Sequence, residues 1–198
     1  MSSPALAAGV ALGQDFYDRS VHEVARQLIG CSLRFGGVGG VIVETESYER
    51  DDPACHAYVG RTTRTDTLFG PPGRAYVYLS YGIHSLLNFV AEPEGEAAAV
   101  LVRALEPVWG IEEMRRRRGL SRERHLCSGP GKLTQALGVG LAHNGASLEL
   151  PPFDVRVGEG SWAEPEVVSG PRIGITKAID RPWRFCARGS EHLSRPAG

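Results

Sequence analysis

At 198 residues the chain is long enough for one domain with a real core, and 42% hydrophobic against 23% charged residues excludes a disordered or fibrous polymer. A net charge of -1 excludes recognition of nucleic acid by bulk charge, so any such surface has to come from local patches. Cys31, Cys55, Cys127 and Cys186 form no C-x-x-C pair, which speaks against a zinc knuckle or a disulfide framework and for reduced, packed thiols.

The segment Pro4 to Leu12 is weakly apolar but has no basic region before it, so it is not read as a signal peptide. No stretch is long and apolar enough to span a bilayer, and a cytoplasmic location follows, nucleoid-associated in a prokaryote. Ser20 and Glu23 have capping-box spacing. Val21, Val24, Ala25 and Leu28 then mark one helical face, with Gly30 at its exit. Cys31 to Phe35 reads as a strand, residues 36–40 as a glycine turn, and Val41 to Tyr48 as the next strand. Residues 49–73 read as an irregular loop of a length that is often functional.

Ala75 to Ser80 and Ser85 to Val90 read as a hairpin whose tip is Tyr81-Gly82. Ala98 to Leu105 is a further strand, and Val108 to Arg118 a helix begun near Pro107 and stopped by Gly119. Leu133 to Leu137 is a short helix. Ser147 to Leu150, Phe153 to Val157, Arg172 to Thr176 and Arg184 to Ala187 read as short strands, with residues 158–169 polar and exposed. Strands arrive in hairpins without a βαβ rhythm. The expected fold class is therefore mixed α/β (α+β): one compact domain over residues 1–198, a curved, mainly antiparallel sheet with a protruding β-hairpin and surrounding helices. Residues 1–11 and 191–198 are expected to be flexible ends.

In a strand, residues two apart share a face, so Ile42, Glu44, Glu46 and Tyr48 point one way. Two carboxylates on such a face either lie on a solvated edge or line a pocket that needs them, because burying charge is costly. Tyr76 and Tyr78 share a face by the same rule. Tyr81, at a tip, is placed for insertion or stacking. Asn88 sits in an apolar strand, where its amide must find partners or bridge to a loop. Arg103 interrupts an apolar run and calls for an anionic partner, Glu46 being a candidate. Arg115 to Arg118 either form a solvated helix end or, with Arg122, Arg124 and Lys132, a phosphate patch. Gly129-Pro130-Gly131-Lys132 lacks Walker spacing, and the histidines show no metal-ligand spacing, so neither a metal nor a cofactor is expected.

Across the chain, LGQDFYDRSVHEVARQLIG, VIVETESY, His56, GRAYVYLSYGIHSLLNF, AVLVRALEPVWGIEEMRRRRG, LCSGPGKLTQALGV, RIGI and RPWRFCARGS occur in this order. The chain so resembles the alkyladenine (3-methyladenine) DNA glycosylases, from about residue 12 to residue 190. The resemblance implies a monofunctional base-excision enzyme acting on double-stranded DNA that contains a damaged purine, working as a monomer. It implies Glu46 as the base that activates water, with Arg103 and the main-chain carbonyl of Ile173 holding that water. It implies Tyr48 on one side of the flipped base, His56 and Tyr78 on the other, and Asn88 against the 2-amino group of guanine. Tyr81 is then the wedge, with Ile83 and His84 beside it, and Arg118 and Lys132 meet backbone phosphates. Ile83 and His84 stand where vertebrate members of the family carry a Met-Tyr pair.

Overall fold

The computed structural model describes residues 9–197. The expected flexible stretch 1–11 and the segment Pro4 to Leu12 fall largely outside the described residues. The rest of that start is tied down: Ala11 bridges Arg156, and the Leu12 amide donates to the Val155 carbonyl.

The fold is a single α+β unit, as the hairpin pattern predicts. Eight strands form one antiparallel sheet that does not close into a barrel. They are β1 (Ser32–Phe35), β2 (Val38–Tyr48), β3 (Ala75–Ser80), β4 (His84–Ala91), β5 (Ala98–Trp109), β6 (Phe153–Arg156), β7 (Val167–Gly170) and β8 (Arg184–Ala187). The order is β3-β4-β5-β2-β1-β6, with β8 also on β2 and β7 on β8. Four helices, α1 (Gln14–Tyr17), α2 (Val21–Gln27), α3 (Ile111–Arg118) and α4 (Pro130–Leu137), flank it.

The main core is built from α2, α4 and one face of β2, β4 and β5, through Val21, Leu28, Leu87, Val100, Leu133 and their neighbours. A smaller apolar cluster, around Cys55, Leu68, Phe69, Tyr76 and Ala99, packs on the opposite side and supports Tyr48 and Tyr78. These two clusters separate the sheet into a structural face and a site-bearing face.

Several expectations are corrected. The glycines at 39 and 40 belong to β2, because Gly40 allows the Glu106 carbonyl to come within 2.0 Å of where a Cβ would stand. The strand β5 continues through Pro107 to Trp109 and the helix starts only at Ile111. Pro107 is tolerated there because β4 pairs β5 only as far as Leu101, so no neighbour on that side needs its missing N–H. Gly110 makes the turn into α3 at φ 67°, against Val38, where a side chain would collide.

Ser20 makes no capping bond with its side chain; the Val21 amide is satisfied by Glu92 at 3.0 Å instead. Residues 172–176 are irregular, and Ser147 contributes an isolated bridge to Arg74. The polar stretch 158–169 contains the start of β7. Register shifts between Ile42 and Thr45 change the phase of β2. Ile42 and Val43 both enter the main core, so Ile42 does not share the face of Glu44 and Glu46.

Candidate active site

A cavity of about 740 Å³ opens on the site-bearing face, between β2, the β3–β4 hairpin, β5 and the loops at 53–64 and 173–177. Its volume falls in the range of small-molecule sites.

The register of β2 against β5 creates its chemical end. Glu44 pairs with Ala104 and Glu46 with Leu101. Arg103 falls at the register shift, and its guanidinium reaches both carboxylates: Nε donates to Glu44 at 2.9 Å and Nη1 to Glu46 at 3.2 Å. Glu44 and Glu46 are completely buried, and Arg103 is nearly so. The glutamate face is thus not a solvated edge.

Glu46 receives three donors. Its Oε1 accepts the Ile173 amide at 2.7 Å, and its Oε2 accepts the Tyr48 hydroxyl at 2.7 Å as well as Arg103. Burial nonetheless pushes its carboxyl above the usual range, since the donors only partly offset the loss of water. Glu44 goes the other way. Burial raises it, but Arg103, Arg184 and the Ser194 donors outweigh burial and hold it below the usual range. Two carboxylates with protonation preferences pushed apart are the pattern of one structural anion and one reactive group. A carboxylate of raised basicity beside a fixed guanidinium can hold and deprotonate one water molecule.

Aromatic walls follow from alternation. Tyr76 and Tyr78 point into the cavity side of β3, with ring centroids 5.4 Å apart. His56, on a one-turn helix over His56–Val59, meets Tyr78 edge-on at 4.4 Å, and its Nδ1 bonds the Tyr76 hydroxyl at 3.1 Å. Burial and the nearby Arg64 lower the His56 pKa and favour the neutral ring. Burial pushes the Tyr78 phenol up to about 12. Tyr48 also lines the cavity. Asn88 is buried, lines the cavity and donates from Nδ2 to the Tyr76 carbonyl at 3.1 Å, so it is both a cavity wall and a bridge across the hairpin.

Tyr81 is the tip of the hairpin, at φ 50° and 91% exposed, and Ile83 beside it is 74% exposed. Two large apolar side chains exposed together on a tip mark a surface suited to contact with a partner. The tip end of the hairpin packs on the start of α4, where His84, paired with Ser80 at the turn, lies against Gly131. Lys132 is exposed on that first turn. Arg118 lies apart from the cavity, at the end of α3, bonded to Gln135 of α4. For Ile173 the contact observed is its N–H on Glu46.

Sequence reasoning misses four groups that shape this site. Arg172 and Asp52 form a fully buried ion pair 120 positions apart in sequence, and the Arg172 guanidinium stands 4.6 Å from the Tyr48 ring centroid and 5.0 Å from that of Trp183. Arg184 and Ser194 bind Glu44. The arginines leave one signal, a charged residue inside an apolar or aromatic run (RIGI, PWRF), the same signal that singles out Arg103. The segment carrying Ser194 is not a loose end as expected, since it is bonded to both β2 and β8.

Aromatic rings thus wall the cavity, a buried carboxylate stands behind its Arg103, Tyr48 and Ile173 lining, and the aromatic hairpin tip completes its edge. The sequence model described as methylpurine-DNA glycosylase matches residues 15–191. A relative from Rhodopseudomonas palustris (strain HaA2), provisionally named 3-methyladenine DNA glycosylase, is 58% identical over 99% of this chain and 96% of its own. Relatives with the same provisional name from Nitrobacter winogradskyi and Rhizobium meliloti are 56% and 49% identical, over 95% and 91% of this chain and 89% and 95% of theirs. The chain belongs to the methylpurine-DNA glycosylase family. It is a DNA glycosylase of DNA repair.

Proposed function

We propose that this glycosylase turns an alkylated or deaminated purine out of duplex DNA into the cavity and hydrolyses its N-glycosidic bond with a water activated by Glu46. The observation that carries this reading is the buried Glu46, raised in basicity and bonded to Arg103, Tyr48 and Ile173, which all line the aromatic cavity. The water oxygen bonds to C1′ of the sugar while the bond from C1′ to the purine nitrogen breaks. The bonding pair leaves with the base, and the water proton passes to the Glu46 carboxylate. A cationic alkylated purine leaves as a neutral molecule, so one carboxylate suffices. A neutral purine such as hypoxanthine also needs protonation as it leaves, for which glycosidases use a second carboxyl. Glu44, occupied by four donors, is not available for that, so a neutral base takes its proton from a solvent water that enters the cavity with it.

Flipping costs a few kcal/mol, least at a damaged pair, and stacking returns about 1–3 kcal/mol per aromatic contact. Tyr48 with His56 and Tyr78 supply these contacts, Tyr81 fills the gap in the duplex, and Lys132 on the first turn of α4 meets phosphate. The reaction is monofunctional. The test is base release from duplexes holding hypoxanthine or ethenoadenine, and from methylated DNA, followed by strand analysis. The expected product is an abasic strand that breaks only on alkali treatment. No release from any of the three substrates, with duplex binding retained, would make the protein a non-catalytic binding module.

Two predictions arise here. Because the ionised form of Glu46 is the active one and burial raises its pKa, single-turnover release is expected to fall as pH drops, beginning above the ordinary glutamate value of about 4.3. A flat rate across that interval would remove Glu46 from the role of base. For Tyr81→Ala, excision from duplex DNA is expected to drop about 10- to 100-fold, on the scale of one lost stacking contact. Excision from a single strand, which has no gap to fill, should change little; equal losses on both would show that Tyr81 supports the hairpin and is no wedge.

A further inference from the structure

Glu44 and Glu46 share one arginine, yet Glu44 is bound far more completely. It accepts Arg103 Nε at 2.9 Å, Arg184 Nε at 2.8 Å, the Ser194 amide at 2.6 Å and the Ser194 hydroxyl at 2.7 Å. The same hydroxyl accepts Arg103 Nη2 at 3.2 Å. Every nitrogen of the Arg103 guanidinium therefore has a partner: Nε on Glu44, Nη1 on Glu46 and Nη2 on Ser194. Arg184 fastens the segment that carries Ser194, donating to the Arg195 carbonyl at 2.6 Å and the Pro196 carbonyl at 3.3 Å.

A guanidinium is a planar fork, so three anchors determine its plane and two leave it free to rock about their line. Arg184 supplies a second cation to Glu44, which leaves more of the Arg103 charge for Glu46. We propose that Ser194 is a positioning residue for base excision, holding the edge of Arg103 against Glu46 and its water, with Arg184 anchoring it. The C-terminal segment is then a working part of the active site. This rests on the assignment of Glu46 and Arg103 made under Proposed function.

The test compares full-length wild type with Ser194→Ala, Ser194→Thr, Arg184→Gln and Glu46→Gln on a duplex with one ethenoadenine. Single-turnover release is read across pH, duplex affinity by fluorescence anisotropy, and folding by thermal melting. Ser194→Ala is expected to release base about tenfold to a hundredfold more slowly, the scale of a small misplacement near reacting atoms, with duplex affinity unchanged. Ser194→Thr, which keeps the hydroxyl, should recover most of the rate. Arg184→Gln leaves the Glu44 charge acting on Glu46, so the acid limb of the pH profile should move to higher pH. If that variant does not fold, Ser194→Ala and Ser194→Thr decide the matter alone.

A wild-type rate and pH profile in Ser194→Ala would overturn the inference and leave the assignment of Glu46 standing. Equal loss in Ser194→Ala and Ser194→Thr, matched by a fall in melting temperature, would also overturn it, as a purely structural contact. Wild type that releases no base, or Glu46→Gln that releases it at the wild-type rate, would refute the underlying assignment instead.

Discussion

Glu46→Gln is expected to slow base release by roughly 10²–10⁴-fold, the span that a positioned general base contributes. Duplex binding should stay within a few-fold of wild type. The amide is the size of the carboxylate: its single oxygen can still accept the Ile173 amide, while its NH2 then donates to the Tyr48 hydroxyl, which turns to accept, so the cavity keeps its shape. Arg103 retains Glu44 as its counter-ion, so the variant does not strand a buried cation. What is lost is the basicity that takes a proton from water. Single-turnover excision alongside anisotropy on the same duplex separates the two effects. Equal loss of binding and excision would make Glu46 a structural residue.

The largest effect on stability is expected at Asp52. Asp52→Ala removes the counter-ion of Arg172, and both side chains are wholly buried. The Arg172 guanidinium would remain between Tyr48 and Trp183 with the Ser47 carbonyl, at 3.0 Å, as its main remaining acceptor. Breaking a buried pair from one side costs about 3–5 kcal/mol, because the surviving charge is uncompensated. For a chain of this size that is a drop in melting temperature of roughly 6–20 °C. Asp52 also caps the Ala54 amide at 3.1 Å, at the entry to the loop that carries His56, so the loss adds to the same side. Urea unfolding of wild type and variant checks this. A change within about 0.5 kcal/mol, the ordinary range for surface positions, would show that water reaches the pair.

The pair also matters to the site. Arg172 backs the Tyr48 ring, and the next residue donates to Glu46. The loop 49–73 and the irregular segment at 172–176 are thus clamped together from behind the cavity. The loop holds only two one-turn helices, His56–Val59 and Asp66–Phe69, and the segment at 172–176 is irregular, so neither fixes a wall by itself.

How much of this was legible in the sequence follows from the range of the signals. The hairpin was readable because alternation and the Tyr81-Gly82 turn are local; α4 was read only from Leu133, although it begins at Pro130, whose place at N1 is itself a local start signal. Alternation along β2 put Glu44, Glu46 and Tyr48 on one face. It failed at Ile42, because the phase of a strand resets at a bulge and a bulge is settled by the partner strand. The end of β5 was misread for a related reason. Pro107 is a helix-start signal in isolation, but an acceptable strand residue once no neighbouring strand needs the N–H it lacks. Glycines 39 and 40 looked like turn formers, whereas their lack of a side chain serves close strand contact.

By itself the sequence determined which residue types exist in pairs on common faces: two carboxylates, two tyrosines, an arginine in an apolar run and an aromatic at a tip. It could do so because strand periodicity needs no knowledge of the partner. Only the tertiary structure decided that the two carboxylates are not equivalent. The difference comes from Arg184 and Ser194, brought to Glu44 from 140 and 150 positions away, and from the removal of water around Glu46. Charge and desolvation act through space, so the preference of one glutamate for its proton over another is a property of the closed fold.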